Sequence, residues 1–331
     1  MDTPYPEIFS TFQVRGVRLR NRVVSPPMYQ VRPTLSPEGI AWHRRLAAGG
    51  AGMVIVEGTS VRRLAGKLTA DDVRPLADAI RQEGAAAAIQ LFPVFSDAPA
   101  DANTPTLEQI ERMIDDFGRA AVVCRDAGFD AVEPHGAHGF LLNQFFMPDK
   151  NRRDDDLGGS LENRCRMAAR IVERIRAAAG EELVICFRHT PVGESYTIED
   201  SFVLVECLID AGLDVLDVSP ARDRQVADLA AQFKRRFDVP VIAVGGMEDP
   251  AAAAEAIREG RCDLVAVGRQ LIADAQWPNK VRDGRLDDVL ACTKCDQGCF
   301  GNIGEGKPAE CVQWADEELA AYVRQPKELG G

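Results

Sequence analysis

Eight short apolar runs recur along this chain, and a segment of helical periodicity follows nearly every one. The runs are Arg22–Met28, Met53–Glu57, Ala87–Leu91, Ala131–His135, Val184–Arg188, Val215–Ser219, Val239–Val244 and Leu264–Val267. Most show no polar alternation, the pattern of strands buried on both faces of a parallel sheet. The helical segments are Pro37–Ala48, Ala70–Glu83, Leu107–Ala127, Leu161–Ala179, Glu199–Ala211, Arg222–Phe237 and Pro250–Glu259. Several run into a glycine, at Gly128, Gly212 and Gly260, where a left-handed helix cap is expected. Pro250 follows Asp249, a candidate N-cap. Eight β–α units predict an α/β fold closed as a (β/α)8 TIM barrel over residues 1–290, rather than an open doubly wound sheet. No Gly-x-Gly-x-x-Gly follows the first strand, which runs into Ser25-Pro26-Pro27-Met28 instead.

After the eighth run the repeat stops. Residues 291–331 are cysteine- and glycine-rich, then pass into a short helical tail and a polar end. They are expected to form an extension of the barrel. Four of the nine cysteines lie here, Cys292, Cys295, Cys299 and Cys311, in the pattern C-x2-C-x3-C-x11-C. Four soft thiolates at this spacing can close on one metal centre, either a [4Fe–4S] cluster or a structural zinc. Zinc sites favour two CxxC pairs, and only one is present, so the spacing favours the cubane. The other five, Cys124, Cys165, Cys186, Cys207 and Cys262, are scattered through predicted elements and are read as small buried hydrophobes.

The chain carries a formal charge of −12, which argues against a nucleic-acid or anionic-membrane surface. Residues Met1 to Phe12 lack a basic stretch followed by an apolar run, and no segment reaches the ~18 apolar residues of a membrane span. A cytoplasmic protein is expected.

In a barrel, functional groups sit at strand C-termini and in the loops that follow. Those positions read "LRNRVVSPPM" (Leu19–Met28), "GMVIVEGT" (Gly52–Thr59), "IQLF" (Ile89–Phe92), the block from Phe129 to Arg166 that contains "HGAHG" and "GGSLENR", "VIAVGGM" (Val241–Met247) and "LVAVGRQLIAD" (Leu264–Asp274). Over nearly its whole length the chain resembles the old yellow enzyme family of FMN oxidoreductases. The cysteine tail resembles the branch containing 2,4-dienoyl-CoA reductase and trimethylamine dehydrogenase, where this spacing holds a [4Fe–4S] cluster.

The resemblance implies a site. Gly245, Gly246, Gly268 and Arg269, after the seventh and eighth strands, would cradle the FMN phosphate with backbone amides and one guanidinium. Gln90 would meet the pyrimidine edge of the flavin, and Arg188 would sit by N1 and O2. Pro27, Met28 and Tyr29 would line the ring, as would Gly58, whose missing side chain would admit it. His135 and His138 would donate to the oxygen of the bound substrate, which develops oxyanion character during hydride addition.

Three features depart from the family pattern. The tyrosine that often protonates the substrate carbon is Phe140 here, which has no proton to give. The usual histidine, glycine and arginine after the third strand are absent from "QLFPVF" (Gln90–Phe95), and the connection from Phe92 to Thr106 is short. A proton would then come from Tyr29, His189, Tyr196 or water.

The leading expectation is an oxidoreductase that uses FMN and a [4Fe–4S] cluster to reduce the activated C=C bond of a small conjugated carbonyl. The alternatives are a flavin-dependent dehydrogenase or demethylase of an amine or C–C bond, and a non-catalytic electron-transfer subunit. Relatives of the branch usually continue into nucleotide-binding domains, whereas this sequence ends about 20 residues after Cys311. The expected electron sources are therefore a ferredoxin, a flavodoxin or a separate reductase subunit, with direct reduction by NAD(P)H as the other route. A homo-oligomer is compatible with all of these.

Overall fold

The computed structural model describes residues 3–94, 100–220 and 226–314. An antiparallel hairpin, β1 (Phe12–Val14) and β2 (Val17–Leu19), precedes eight barrel strands: β3 (Val23–Ser25), β4 (Met53–Ser60), β5 (Ala86–Phe92), β6 (Ala131–Gly136), β7 (Val184–His189), β8 (Val215–Val218), β9 (Val241–Val244) and β10 (Leu264–Ala266). The eight are parallel neighbours in chain order, and β10 closes on β3. The expected (β/α)8 barrel is what forms.

The helices at Pro37–Ala48 and Leu161–Ala179 have the bounds expected from periodicity, and most others differ by a residue or two at their ends. The differences fall mainly at the C-terminal ends, whereas the starts are set by side-chain caps. Thr69, Thr106 and Thr197 each begin a helix with a reciprocal capping box, and the Asp249 side chain accepts the Ala251 N–H. Gly128, Gly212 and Gly260 take the left-handed backbone with φ of 94°, 104° and 66°. The helix expected from Arg222 is Val226–Arg236; its first expected residues lie outside the described residues, as does the helical tail after residue 314. Four short helices, Val61–Gly66, Leu141–Phe146, Arg269–Ala273 and Trp277–Arg282, are too brief to leave a periodic signature.

Side chains alternate across a strand, so every second residue faces the barrel axis. The inward series begins with an apolar layer: Val24, Met53, Ile55, Ala86, Ala88, Ala131, Val184, Cys186, Val215, Ile242, Leu264 and Ala266. Val14 and Leu19 of the hairpin join this cluster, so the hairpin plugs the N-terminal end. Its turn residue Arg15 pairs with Asp214, which Arg176 also holds at 2.5 Å. The outward residues, such as Val54, Ile89, Val132, Ile185, Leu216 and Val265, pack against the helices.

Cys124, Cys165, Cys186 and Cys262 are buried, as expected, while Cys207 is half-buried. The chain after β10 packs back onto the barrel. Trp314 donates its indole N–H to the Ala273 carbonyl at 2.9 Å, stacks near Trp42 at 6.3 Å and receives the Arg45 guanidinium at 4.6 Å. Arg32 donates to the Ala309 carbonyl at 3.0 Å. No helix among the described residues is long and apolar enough to cross a membrane.

Candidate active site at the barrel mouth

Continuing each inward series toward the strand C-termini replaces the apolar layer with a polar one. Glu57, Gln90, Glu133, Arg188 and Asp217 follow, and His135 and Ser219 lie one step further out. All seven are buried. The register sets Gln90 opposite Glu133 and His135 opposite Arg188.

The contacts knit this layer together. Gln90 donates from Nε2 to Glu133 Oε1 at 2.7 Å. Arg188 lies 3.7 Å from Asp217 and donates to the Ser219 hydroxyl at 2.9 Å. His138 Nε2 stands 3.0 Å from the same hydroxyl, and its backbone N–H donates to Thr190 Oγ1 at 2.9 Å. His138 itself holds a left-handed backbone, φ 60°, an uncommon state for a non-glycine residue and one typical of functional turns.

Burial, followed by the nearby Arg188 charge, pushes His135 down to about 3 and keeps its ring neutral. His138 is lowered in the same sense, by partial enclosure and by Arg188, but stands exposed at the mouth. The Ala137 N–H donates to His135 Nδ1 at 3.2 Å. An amide can only donate, so the proton of neutral His135 sits on Nε2. The rings of His135 and His138 are 5.4 Å apart, and Phe92 and Phe140 pack edge-on against His135 at 5.6 and 5.1 Å. The neutral His135 ring thus stands against an apolar wall beside a fixed cation, with the exposed His138 ring next to it.

His43 and His189, the other two histidines, are also pushed to about 4 by burial. The three buried histidines, His43, His135 and His189, should therefore keep unprotonated ring signals from pH 8 down to pH 5 in an NMR titration of the folded protein. The sign for stability follows. Each folded value lies below the unfolded value near 6.5, so the unfolded chain binds these protons first, and the histidine contribution is lost as pH falls from about 6.5 toward 4. A ring titrating near 6.5 in the folded state would show that it is not enclosed as described.

Beneath the histidines, Glu133 and Asp217 face one guanidinium. Burial raises both carboxyls, Glu133 far more, and Arg188 opposes the rise. Glu57 is pushed up to about 7 by burial. It accepts the Gln30 N–H and the Thr34 hydroxyl, both at 2.8 Å, and so anchors the loop after β3 that carries Met28 and Tyr29. None of these three carboxyls stood out in the sequence, although a readable signal exists: an acid at an inward position of an otherwise apolar strand.

Several buried polar atoms in this layer have no hydrogen-bond partner: Arg188 Nε, Glu133 Oε2 and both Asp217 carboxylate oxygens. Such atoms are costly unless a bound group satisfies them. Gly245 and Gly246 hold left-handed backbones, φ 116° and 72°, and a Cβ on Gly246 would meet nothing within 4 Å. Met28 lies against Gly268, whose added Cβ would be 3.7 Å from its sulfur. Pro27 and Met28 are half-buried at the same edge. Open backbone at two strand ends, a buried cation and an unsatisfied polar floor fit a planar, phosphate-bearing cofactor.

Four expectations need correction. His189 follows Arg188 and so faces outward by alternation. Its Nε2 meets Ser201 Oγ at 2.8 Å, and its ring lies against Tyr196 and Phe146. Tyr196 donates its hydroxyl to the Thr190 carbonyl at 2.7 Å. Both are sealed behind the barrel wall, away from His135. Tyr29 does not end a strand, because β3 stops at Ser25; it lies on the following loop, 60% exposed. Gly58 sits where the β4–β5 register shifts, and an added Cβ would press on Phe92 and Gln90 at 3.2 and 3.3 Å. Its missing side chain therefore makes room for Gln90 and Phe92. Arg269 is drawn to Asp296 at 2.7 Å, toward the cysteine segment.

That segment holds all four cysteines of the cluster pattern, Cys295 exposed and the others half-buried. Lys294 and Asp296 flank Cys295 with left-handed backbones, φ 57° each. The Lys294 N–H donates to Cys292 Sγ at 3.4 Å, and the Gln297 N–H and Thr293 hydroxyl draw the Cys295 thiol below its usual range. Gly298 lies against the chain at Glu310, where a Cβ would come within 2.8 Å of the Glu310 carbonyl oxygen; this close approach brings the Cys299 and Cys311 segments together. Among the described residues, however, no three histidine, cysteine or acidic side chains converge as a metal-holding group.

The profile of the NADH:flavin oxidoreductase / NADH oxidase family matches residues 102–288, more than half of the chain. The chain belongs to that family. NADH oxidase of Thermoanaerobacter brockii is 35% identical over 90% of this family member and 54% of its own length. Cinnamate reductase of Clostridium sporogenes is 27% identical over 94% of this chain and 58% of its own length. The chain thus spans about half the length of these curated relatives. Morphinone reductase, solved in complex with tetrahydroNAD, superposes with a TM-score of 0.71 at 26% identity, over 84% of this chain and 91% of that one.

Proposed function

We propose that this protein reduces the activated C=C bond of a small conjugated carbonyl compound, with FMN held at the barrel mouth and NAD(P)H as the electron source. The observation that carries this reading is the buried, neutral His135 with His138 next to it, beside Arg188. FMN, when bound, supplies the hydride. Gln90, Arg188, Pro27, Met28, Gly245, Gly246 and Gly268 would hold it, with Glu133 fixing the carboxamide of Gln90. His135 Nε2–H donates to the carbonyl oxygen of the substrate, where negative charge develops, and His138 completes the pair. Phe92 and Phe140 pack edge-on against His135 and fix its ring, with Phe140 at the exposed rim of the mouth. A cationic amine would instead meet N–H donors and the Arg188 charge, which disfavours the amine dehydrogenase alternative.

Phe140 supplies no proton to the carbon, so water or the exposed Tyr29 hydroxyl must. Phe140→Tyr places a phenol beside His135 and should raise kcat for an enone by about tenfold or more, within the range of one positioned general acid. The assay is anaerobic turnover of 2-cyclohexenone with NADH and with NADPH. No enone reduction by either protein with either donor would overturn the proposed function. Turnover unchanged by Phe140→Tyr would mean that proton transfer does not limit the rate.

We also propose that Cys292, Cys295, Cys299 and Cys311 bind a [4Fe–4S] cluster. The sulfur-directed N–H groups and the C-x2-C-x3-C-x11-C spacing support this. Protein purified anaerobically should carry about four iron atoms per chain, falling to background in Cys295→Ser with Cys299→Ser. Zinc at one per chain would assign the segment to a structural site instead.

A further inference from the structure

A groove of about 340 Å³ runs between the helices Val61–Gly66 and Leu107–Asp126 on the outer ring. Arg62, Lys67, Arg112 and Arg119 line it, with Val94 and Met113 supplying apolar wall. Arg119 pairs with Asp116 and Arg112 with Glu108. Arg62 and Lys67 have no acidic partner among the described residues. Two uncompensated cations beside two arginines form a positive groove in a chain whose net charge is −12, and such a local field is a device for collecting anions.

Its position links it to the active site. Arg62 is the second residue after β4 ends at Ser60. Val94 is the second after β5 ends at Phe92, the ring that packs against His135 and Phe140. Both follow the C-terminal ends of β4 and β5, the end of the barrel that also carries the His135–His138 pair. Arginine and lysine recognise phosphate through charge-assisted hydrogen bonds. The volume lies at the lower end of the range for small-ligand pockets, and the apolar wall suits a base or ribose.

We infer that this groove binds the adenosine-diphosphate part of a ligand whose reactive end lies at the histidine pair. Two sources carry that chemistry: a nicotinamide dinucleotide as hydride donor, and an acyl-coenzyme A thioester as substrate. The inference rests on the proposed placement of the reaction, but the groove is testable apart from it.

The experiment uses the FMN-loaded protein and the double variant Arg62→Ala/Lys67→Ala, both at exposed positions outside the catalytic layer. Calorimetric titration with ADP should show binding to the wild type that weakens at least about tenfold in the double variant, as expected from losing two charge-assisted contacts. Adenosine should bind both proteins equally weakly. The source is then read from steady-state KM. A rise for NADH or NADPH alone identifies the donor, and a rise for cinnamoyl-coenzyme A with none for cinnamate identifies the substrate. Reduction of 2-cyclohexenone by the dithionite-reduced protein should be the same in both, which separates failure of the groove from failure of the proposed reaction. ADP that does not bind the wild type, or binds both proteins equally, overturns the inference.

Discussion

Replacing His135 and His138 together by alanine should lower kcat/KM for enone reduction by about 10²–10³-fold, the scale seen when oxyanion donors are removed. FMN content should not change, because neither ring belongs to the proposed cofactor cradle. Burial and Arg188 hold the His135 ring neutral, so its N–H acts as a fixed donor without a proton being gained. The loss should therefore be nearly the same at pH 6 and pH 8. The parallel readout is the charge-transfer band of a bound phenol, which needs the phenolate oxygen anchored above the flavin. A normal band in the double variant would remove the oxyanion role from both histidines. A single variant that loses as much as the double would mean that the pair acts as one unit.

Arg188→Met should be the most damaging single change in the barrel. Arg188 is the only cation within ion-pair distance of Asp217, at 3.7 Å among the described residues, and both side chains are buried. Removing one member of a buried pair leaves an uncompensated charge and typically costs about 3–5 kcal/mol. Asp217 has an escape by taking up a proton, so the loss should be largest at high pH and shrink as pH falls. Thermal melts at pH 6 and pH 9 read this directly. Adding Asp217→Asn should restore most of the stability without restoring FMN affinity, since the cation proposed to face the flavin is still missing. Equal melting of Arg188→Met and wild type at pH 9 would show that the pair is not ionised.

Much of the barrel was legible beforehand because its signal is repetitive. Parallel strands buried on both faces must be short apolar runs, and crossover helices must show a 3.6-residue period, so the eight units declared themselves. Ends were less certain, mainly at the C-termini of helices, where periodicity runs on for a residue or two past the last helical one. His135, Gln90 and Arg188 could be picked out as polar residues ending apolar strands, with His138 on the loop that follows, and the structure brings them to one end of the barrel. His189 could not be separated from Arg188 along the chain, because neighbouring positions differ only in which face of the strand they occupy, and Tyr196 lies on a loop whose direction only the tertiary structure sets.

That distinction marks the division for this protein as a whole. Order along the chain, in the recurring runs, the strand-end histidines and the four clustered cysteines, was enough to determine the fold class and the family it resembles. Only the closed barrel decided which side of each strand faces the axis. It turned Glu57, Glu133 and Asp217 inward beneath Arg188, turned His189 outward against Ser201, and carried Arg269 to Asp296 near the cysteines. The physical reason is that a side chain's charge state depends on what surrounds it, and those surroundings come from strands up to about 130 residues away, as Glu57 and Arg188 are from each other.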